Sequence, residues 1–318
     1  MKPPYEITPK ILELYGKINE SLGVCKSLML VKPEAKLRRQ NRIKTIHSSL
    51  AIEGNTLNIE SITAIIDNKR IVGPEKEIIE VKNAIIAYDQ IQNYKSFDEK
   101  DFLKAHGLLL KNLMDKPGRY RDSQVGIMTG SKVSHIAPPS KMIPTLMKDL
   151  FEYLKKDSDL DIIKSCVFHY ELEFIHPFED GNGRMGRLWQ TRLLMDVNPI
   201  FKYVPVEKQI KDNQKRYYEA LSISDKNGNS TIFIEFMLEM INETLRATID
   251  ESKPLSPAYS DRVKTAANHL KGWFDRKDYM LICKGISTAT ASRDLKQLIL
   301  ENRVEKAGEK RLAKYRFK

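Results

Sequence analysis

Over most of the chain apolar residues recur at helical spacing, and no other feature narrows the fold as far. Leu37, Ile43, Ile46 and Leu50 fall near one stripe of a helix. Ile78, Val81, Ile85 and Ile86 share a side of a helix predicted over Glu75 to Tyr94. Pro74 suits its first turn, because the missing N–H would be unbonded there anyway. Similar spacing predicts helices over Asp101 to Met114, Met142 to Leu154 and Asp161 to Ile175, the last ended by Pro177 and the glycines beyond. Strand signals are sparse. The best runs from Ser123 to Ile136, where Val125, Ile127 and Val133 flank Thr129-Gly130-Ser131 before Pro138-Pro139, and it reads as a hairpin. The expectation is a mainly α body with one small hairpin.

At 318 residues the chain is about twice a ~150-residue domain, so more than one domain is expected. The clearest break is Lys253-Pro254-Leu255-Ser256-Pro257. From Ala258 to Lys318 there are 15 Lys/Arg and 7 Asp/Glu, a net +8 of the chain's total +11. Helices are predicted over Arg262 to Phe274, over Arg276 to Cys283, and from a Ser287 cap to about Asn302. Ala291, Leu295, Leu298 and Ile299 form the buried stripe of the third. A hairpin follows over Val304 to Phe317, with Ala307-Gly308-Glu309 at its middle. This order in a basic segment resembles a winged helix-turn-helix. Thr288, Thr290, Ser292, Arg293 and Lys296 on its recognition helix, and Arg311, Lys314 and Arg316 on its wing, could contact the phosphates and base edges of DNA. The same fold also serves protein docking or dimerisation.

With 41% hydrophobic and 30% charged residues the chain is neither disordered nor fibrous. No apolar run approaches the ~20 residues of a membrane helix, and the first residues lack the apolar core of a signal peptide. Three scattered cysteines (Cys25, Cys166, Cys283) fit no disulfide framework or zinc spacing. A cytoplasmic protein without membrane attachment is expected.

The segment richest in chemistry runs from His176 to Arg187 (HPFEDGNGRMGR). Gly181-Asn182-Gly183 tolerates left-handed backbone angles, so its N–H groups can converge on an anion. A helix predicted over Leu188 to Met195 points its N-terminus the same way. Arg184 and Arg187, three apart, can share a face toward that anion. Asp180 offers a hard oxygen ligand, and magnesium on phosphates often uses only one or two carboxylates. His176 can serve as a general base. Each part has a plain reading as turn, solvated face or helix cap. Together they describe a site for phosphoryl or nucleotidyl transfer. A rival reading exists, since His169, Glu173 and His176 at i, i+4 and i+7 share a helix face that could bind a transition metal.

The same segment resembles the Fic motif H-x-F-x-[D/E]-G-N-G-R-x-x-R at every fixed position. The resemblance implies a Fic-type helical core with a β-hairpin flap, and an enzyme that moves AMP from ATP to a Ser, Thr or Tyr hydroxyl of a target protein. By position, His176 is then the base and Phe178 the anchor of the loop. Asp180 is the magnesium ligand, and Gly181, Asn182, Gly183, Arg184, Gly186 and Arg187 hold ATP. Pro117-Gly118-Arg119-Tyr120-Arg121 and the hairpin after it resemble the family's flap, which holds the target by strand addition. Arg216 to Leu221 resembles a segment near the adenine, with Tyr217 as base contact or, alternatively, a packed core aromatic. Ser49 to Asn55 (SLAIEGN) resembles the inhibitory-helix motif. Glu53 would then pair with Arg187 and crowd the γ-phosphate, steadied by Ser49. The expected domains are an N-terminal helical region (1–95), the Fic core (96–252) and the winged helix (258–318). Self-modification and a homodimer are also expected. The competing reading is a DNA-binding regulator whose Fic core is auxiliary or mainly removes AMP.

Overall fold

A computed structural model of the chain describes residues 2–27, 35–124, 126–129, 132–252, 259–308 and 313–318. The expected linker at Lys253 to Pro257 lies outside them, as do Val125, Gly130 and Ser131 of the first hairpin and Glu309 and Arg311 of the second. Two compact units divide the chain, Met1–Ser252 and Lys253–Lys318.

Unit 1 opens with α1 (Pro9–Ser27), α2 (Ala35–Ile52), α3 (Ile59–Ile66), α4 (Glu75–Asp89) and α5 (Glu99–Leu109). The hairpin strands β1 (Gly126–Thr129) and β2 (Lys132–Ile136) come next. Then follow α6 (Ile143–Lys156), α7 (Asp161–Ile175), α8 (Asn182–Val197), α9 (Val206–Asp212), α10 (Gln214–Asn227) and α11 (Thr231–Ser252). α7 is enclosed on nearly every side, with eleven of its fifteen residues buried. Such a helix belongs at the centre of a core, and it packs against α6, α8 and α11. α2 docks on α3, α4 and α9, which carries its C-terminal end to the loop after α7. β1 and β2 pair antiparallel from Gly126 opposite Ile136 to Thr129 opposite Lys132, with an irregularity between Ile127 and Met128.

Two stripes differ from expectation. On α4, Ala84, Ala87 and Tyr88 join Val81 in the core while Ile86 is 47% exposed. The chain passes into a 3-10 turn at Ile91–Asn93, so the helix stops short of Tyr94. α8 begins at Asn182 rather than Leu188, because the loop before it is tighter than glycine content alone suggests.

Unit 2 contains α12 (Tyr259–His269), α13 (Arg276–Ile282), α14 (Thr288–Leu300) and the antiparallel strands β3 (Val304–Ala307) and β4 (Lys314–Phe317). Phe274 and Tyr315 exchange both backbone hydrogen bonds at 2.8 Å, adding a third edge to the hairpin. Ser287 caps α14, its Oγ accepting from the Thr290 N–H. On α14 the stripe is Ala291, Asp294, Leu295 and Leu298, and Ile299 is 38% exposed. Asp294 takes the inward place because Arg262 donates to it from Nε and Nη2, at 2.5 and 2.7 Å, and the Tyr279 hydroxyl donates at 3.1 Å. A buried carboxylate needs such partners. No helix among the described residues is long and apolar enough to cross a membrane.

Candidate active site

His176 follows the last turn of α7 in a left-handed conformation, φ 50° and ψ 59°. Its Nδ1 lies 3.3 Å from the Glu173 carbonyl oxygen. A carbonyl only accepts, so Nδ1–H donates and Nε2 is the basic nitrogen. The His176 carbonyl in turn accepts from Arg121 Nε at 2.7 Å. The buried Arg121 also donates to the Ser123 and Pro138 carbonyls at 2.7 Å each, so one guanidinium ties the two feet of the hairpin to the end of α7.

The loop after His176 is fixed from within and from below. Phe178 is fully buried and stacks on His106, with ring centroids 3.7 Å apart and planes 6° from parallel. The Gly118 N–H donates to His106 Nδ1 at 2.8 Å, so Nε2 carries the proton and donates to the Asp180 carbonyl at 2.9 Å. Burial pulls the His106 pKa down to about 4, which keeps that neutral tautomer. Asn182 closes the loop on itself. Its Oδ1 accepts from the Phe178 N–H and its Nδ2 donates to the Phe178 carbonyl, both at 2.9 Å.

Of Gly181-Asn182-Gly183, only Gly181 is left-handed (φ 86°), and a Cβ there would come within 2.5 Å of Leu110 Cδ2. The expected nest thus narrows to the step from left-handed Gly181 into helical Asn182, where the change of backbone hand turns successive N–H groups to one side. Asn182 and Gly183 are helical, the Asn182 side chain is spent on Phe178, and the N–H groups that remain belong to the first turn of α8. Gly186 also takes a different place. A Cβ on it would meet His169 Cδ2 at 2.7 Å, so its bare face is where α7 and α8 touch rather than an edge of the loop.

Arg184 and Arg187 are 4% and 2% exposed. Arg184 donates to Asp180 Oδ1 at 2.7 Å and to Glu80 Oε1 at 3.3 Å. Arg187 donates from Nε to Ser49 Oγ at 3.2 Å, and from Nη2 to the Ser49 carbonyl at 2.9 Å and Glu53 Oε1 at 2.6 Å. Two donors are left over: Arg184 Nε and Arg187 Nη1 are buried with no acceptor. Such groups are rare in folded proteins, and two beside a helix N-terminus mark a place for an anion.

α2 ends at Ile52, and Gly54 turns the chain at φ 90°. That delivers Glu53 to the same spot. A Cβ on Gly183 would collide with Glu53 Oε1, so the carboxylate lies against the first turn of α8. Burial works against the charge on Arg187, but Glu53, Tyr217 and Glu173 together more than offset it and the guanidinium pKa is raised. Asn55 Nδ2 donates to Glu80 Oε2 at 2.8 Å, linking the end of α2 to the partner of Arg184.

Asp180 is the carboxylate available to a metal. Its Oδ1 takes the Gly181 N–H at 2.6 Å, and its side chain is 49% exposed. Burial raises its pKa, but Arg184 and the Gly181 N–H outweigh that and hold it below the usual range, so it stays ionised. Among the described residues no group of three His, Cys, Asp or Glu converges to hold a metal. One ionised carboxylate fits a magnesium ion that draws its other ligands from phosphates and water. The same observations leave the helix-face metal reading without support. His169 is fully buried, with Nδ1 2.7 Å from Gln190 Oε1 and Nε2 3.1 Å from the Tyr217 hydroxyl. Burial pulls its pKa down to about 3.

Tyr217 is 1% exposed and sits among Phe233, Phe236 and Tyr218, its hydroxyl 3.3 Å from Glu173 Oε1. That corrects its expected place at an adenine: of the two readings, the packed aromatic is what the fold contains. The sequence gives no sign of His106 and Glu80, and it marks Arg121 only as part of the segment before the hairpin. Each acts through contacts far along the chain, and none carries a local pattern of its own.

The matching family model is described as Fic/DOC and covers residues 96–194. A solved Fic family protein from Desulfovibrio desulfuricans G20 is 38% identical at a TM-score of 0.77, covering 100% of this chain and 98% of its own. A protein adenylyltransferase Fic from Nematostella vectensis is 28% identical over 257 residues, 75% of this chain and 57% of that protein. A probable protein adenylyltransferase from Aquifex aeolicus is 28% identical over 193 residues, 56% of this chain and 59% of that one. The chain thus spans little more than half the length of these curated relatives.

Proposed function

The chain belongs to the Fic family, and from that membership we propose that unit 1 transfers AMP from ATP to a hydroxyl of a protein, itself or another. The observation that carries this reading is the pair of buried, acceptorless guanidinium donors, Arg184 Nε and Arg187 Nη1, at the N-terminus of α8. They suit the phosphates of ATP, whose charge the helix end also favours. His176 Nε2 takes the proton of the attacking hydroxyl. The hydroxyl oxygen bonds to the α-phosphorus, the bond from that phosphorus to the β-bridging oxygen breaks, and pyrophosphate leaves toward the arginines. Magnesium held by Asp180 would neutralise charge on the phosphates. Arg121 keeps the base and both feet of the hairpin in register, and the hairpin edge can accept a target segment as a further strand. Glu53, occupying Arg187 and the first turn of α8, acts as a brake that a γ-phosphate must displace, and Ser49 holds Arg187 for it. Relatives named as adenylyltransferases support AMP as the group moved.

The test uses ATP labelled at the α- or the γ-phosphate in separate reactions, with the wild type and His176→Ala. Protein should retain label from α and none from γ, and His176→Ala should lower transfer by roughly 10²–10⁴-fold. Retention of γ-label would make the protein a phosphotransferase instead.

Unit 2 supports a second activity. α14 exposes Thr288, Arg293 and Lys296 in a segment of net charge +8. We read it as a winged helix that contacts duplex DNA. The full chain should bind duplex DNA with an affinity that falls steeply with salt, and Arg293→Ala with Lys296→Ala should flatten that slope by roughly two phosphate contacts. No binding at low salt would remove this activity.

A further inference from the structure

A cleft of about 350 Å³ opens in unit 1 beside the N-terminal half of α2 and shares no lining residue with the His176–Arg187 loop. Arg38, Arg39, Arg42 and Lys202 line it, and Asp89 is its one lining carboxylate among the described residues. Part of this charge is spoken for. Arg42 pairs with Asp89 and Arg39 with Asp67, both at 2.6 Å, while Lys202 donates to Gln92 Oε1 at 2.6 Å. The Arg38 guanidinium lies 5.9 Å from the centre of the Tyr203 ring. What remains are two buried donors, for neither Arg38 Nε nor Arg42 Nε has an acceptor. These residues are one helical turn apart, so their stems leave the same face of α2. The unmet need for an acceptor therefore arises twice in one place.

Deeper in, the hydroxyls of Thr45, Tyr88 and Thr191 donate to Glu207 at 3.3, 3.1 and 3.2 Å. Glu207 is 1% exposed, and burial pushes its pKa up. Its charge is met within the protein and leaves the cationic character of the cleft in place.

We propose that this cleft is a second anion site, which binds a phosphate or pyrophosphate group through Arg38 Nε and Arg42 Nε with Lys202 and Arg39 supplying charge. Guanidinium groups match tetrahedral oxyanions with paired donors, and their charge shortens and strengthens such bonds. The volume lies at the small end of the ~300–1,000 Å³ of small-molecule sites, which fits an inorganic polyphosphate or a mononucleotide. The site does not depend on the chemistry assigned to the loop after α7.

Because that loop also attracts phosphates, the readout must be local. Arginine Nε–H resonances of the ¹⁵N-labelled full chain serve, with those of Arg38 and Arg42 assigned from their disappearance in Arg38→Lys and Arg42→Lys. Titrated inorganic pyrophosphate should move both resonances along one saturating curve. Lys202→Gln, outside α2 and exposed, should weaken that curve severalfold with the circular dichroism unchanged. ADP is titrated in parallel. Equal constants identify the bare phosphate group as the ligand, and ADP binding at least tenfold more tightly identifies a nucleotide. If the two resonances stay fixed to millimolar pyrophosphate and ADP while those of other arginines move, the site does not exist.

Discussion

Glu53 occupies one donor of the arginine pair on which the proposed phosphate site is built. Its Oε1 takes the Arg187 Nη2 proton at 2.6 Å and presses on Gly183 at the start of α8. An anionic phosphate entering there meets both a lost contact and a like charge. Glu53→Gly should strengthen ATP binding by about tenfold or more, a change of ~1.4 kcal/mol, and raise AMP transfer and self-modification with it. Calorimetric titration with ATP and α-label incorporation measure the two effects. Unchanged binding and transfer would remove the brake. The same substitution acts on Glu173, whose pKa burial raises to about 7 with Glu53 as the next contributor. In Glu53→Gly that carboxyl should titrate at lower pH, which carbon-detected NMR of its side chain can follow.

The junction of α7 and α8 depends on a missing side chain. Gly186 lets His169 approach so closely that a Cβ would sit 2.7 Å from its Cδ2 and 3.0 Å from its Nε2. His169 is held on both ring nitrogens and has no room to turn. Gly186→Ala should therefore cost about 1–3 kcal/mol and lower the melting temperature by several degrees, at roughly 2–4 °C per kcal/mol for a unit of this size. A scanning-calorimetry trace that matches the wild type would show that the contact yields. At this scale the sequence was legible where periodicity governs. α7 starts and ends where apolar content and Pro177 indicate, and the loop motif is visible as a string. Side choice was less legible: Ile86 and Ile299 look like core residues, yet Ala84 and Asp294 turn inward. Close helix contacts favour a small residue at the first place, and Arg262 and Tyr279 wait for a carboxylate at the second. The site itself was half legible. Its loop residues are adjacent in sequence, whereas His106, Glu80 and Arg121 reach it only through the fold.

Over the whole of unit 1, buried titrating groups set opposing pH slopes. Burial raises the pKa of Glu171 and Glu173 to about 7 each, so the folded state holds protons that the unfolded chain releases near 4.5. Their contribution to stability is complete below that value and is lost as pH rises through about 7. His106 and His169 act in the opposite sense, with pKa values near 4 and 3 against 6.5 in the unfolded chain, so they destabilise the fold as pH falls below 6.5. The two effects overlap at acid pH, and between pH 6.5 and 8 the carboxyls outweigh the remaining titration of the histidines. Urea unfolding should give a lower stability at pH 8 than at pH 6.5, and Glu173→Gln should make that difference smaller. An unchanged difference would place the slope elsewhere. The ion pair between Glu53 and Arg187 spans 134 positions of a single chain, which has a consequence for dose. A tethered competitor keeps its local concentration however far the protein is diluted, so restraint of this kind is blind to expression level. Under the proposed brake, the supply of nucleotide, or a force that draws α2 away, would alter how often the arginine is vacant.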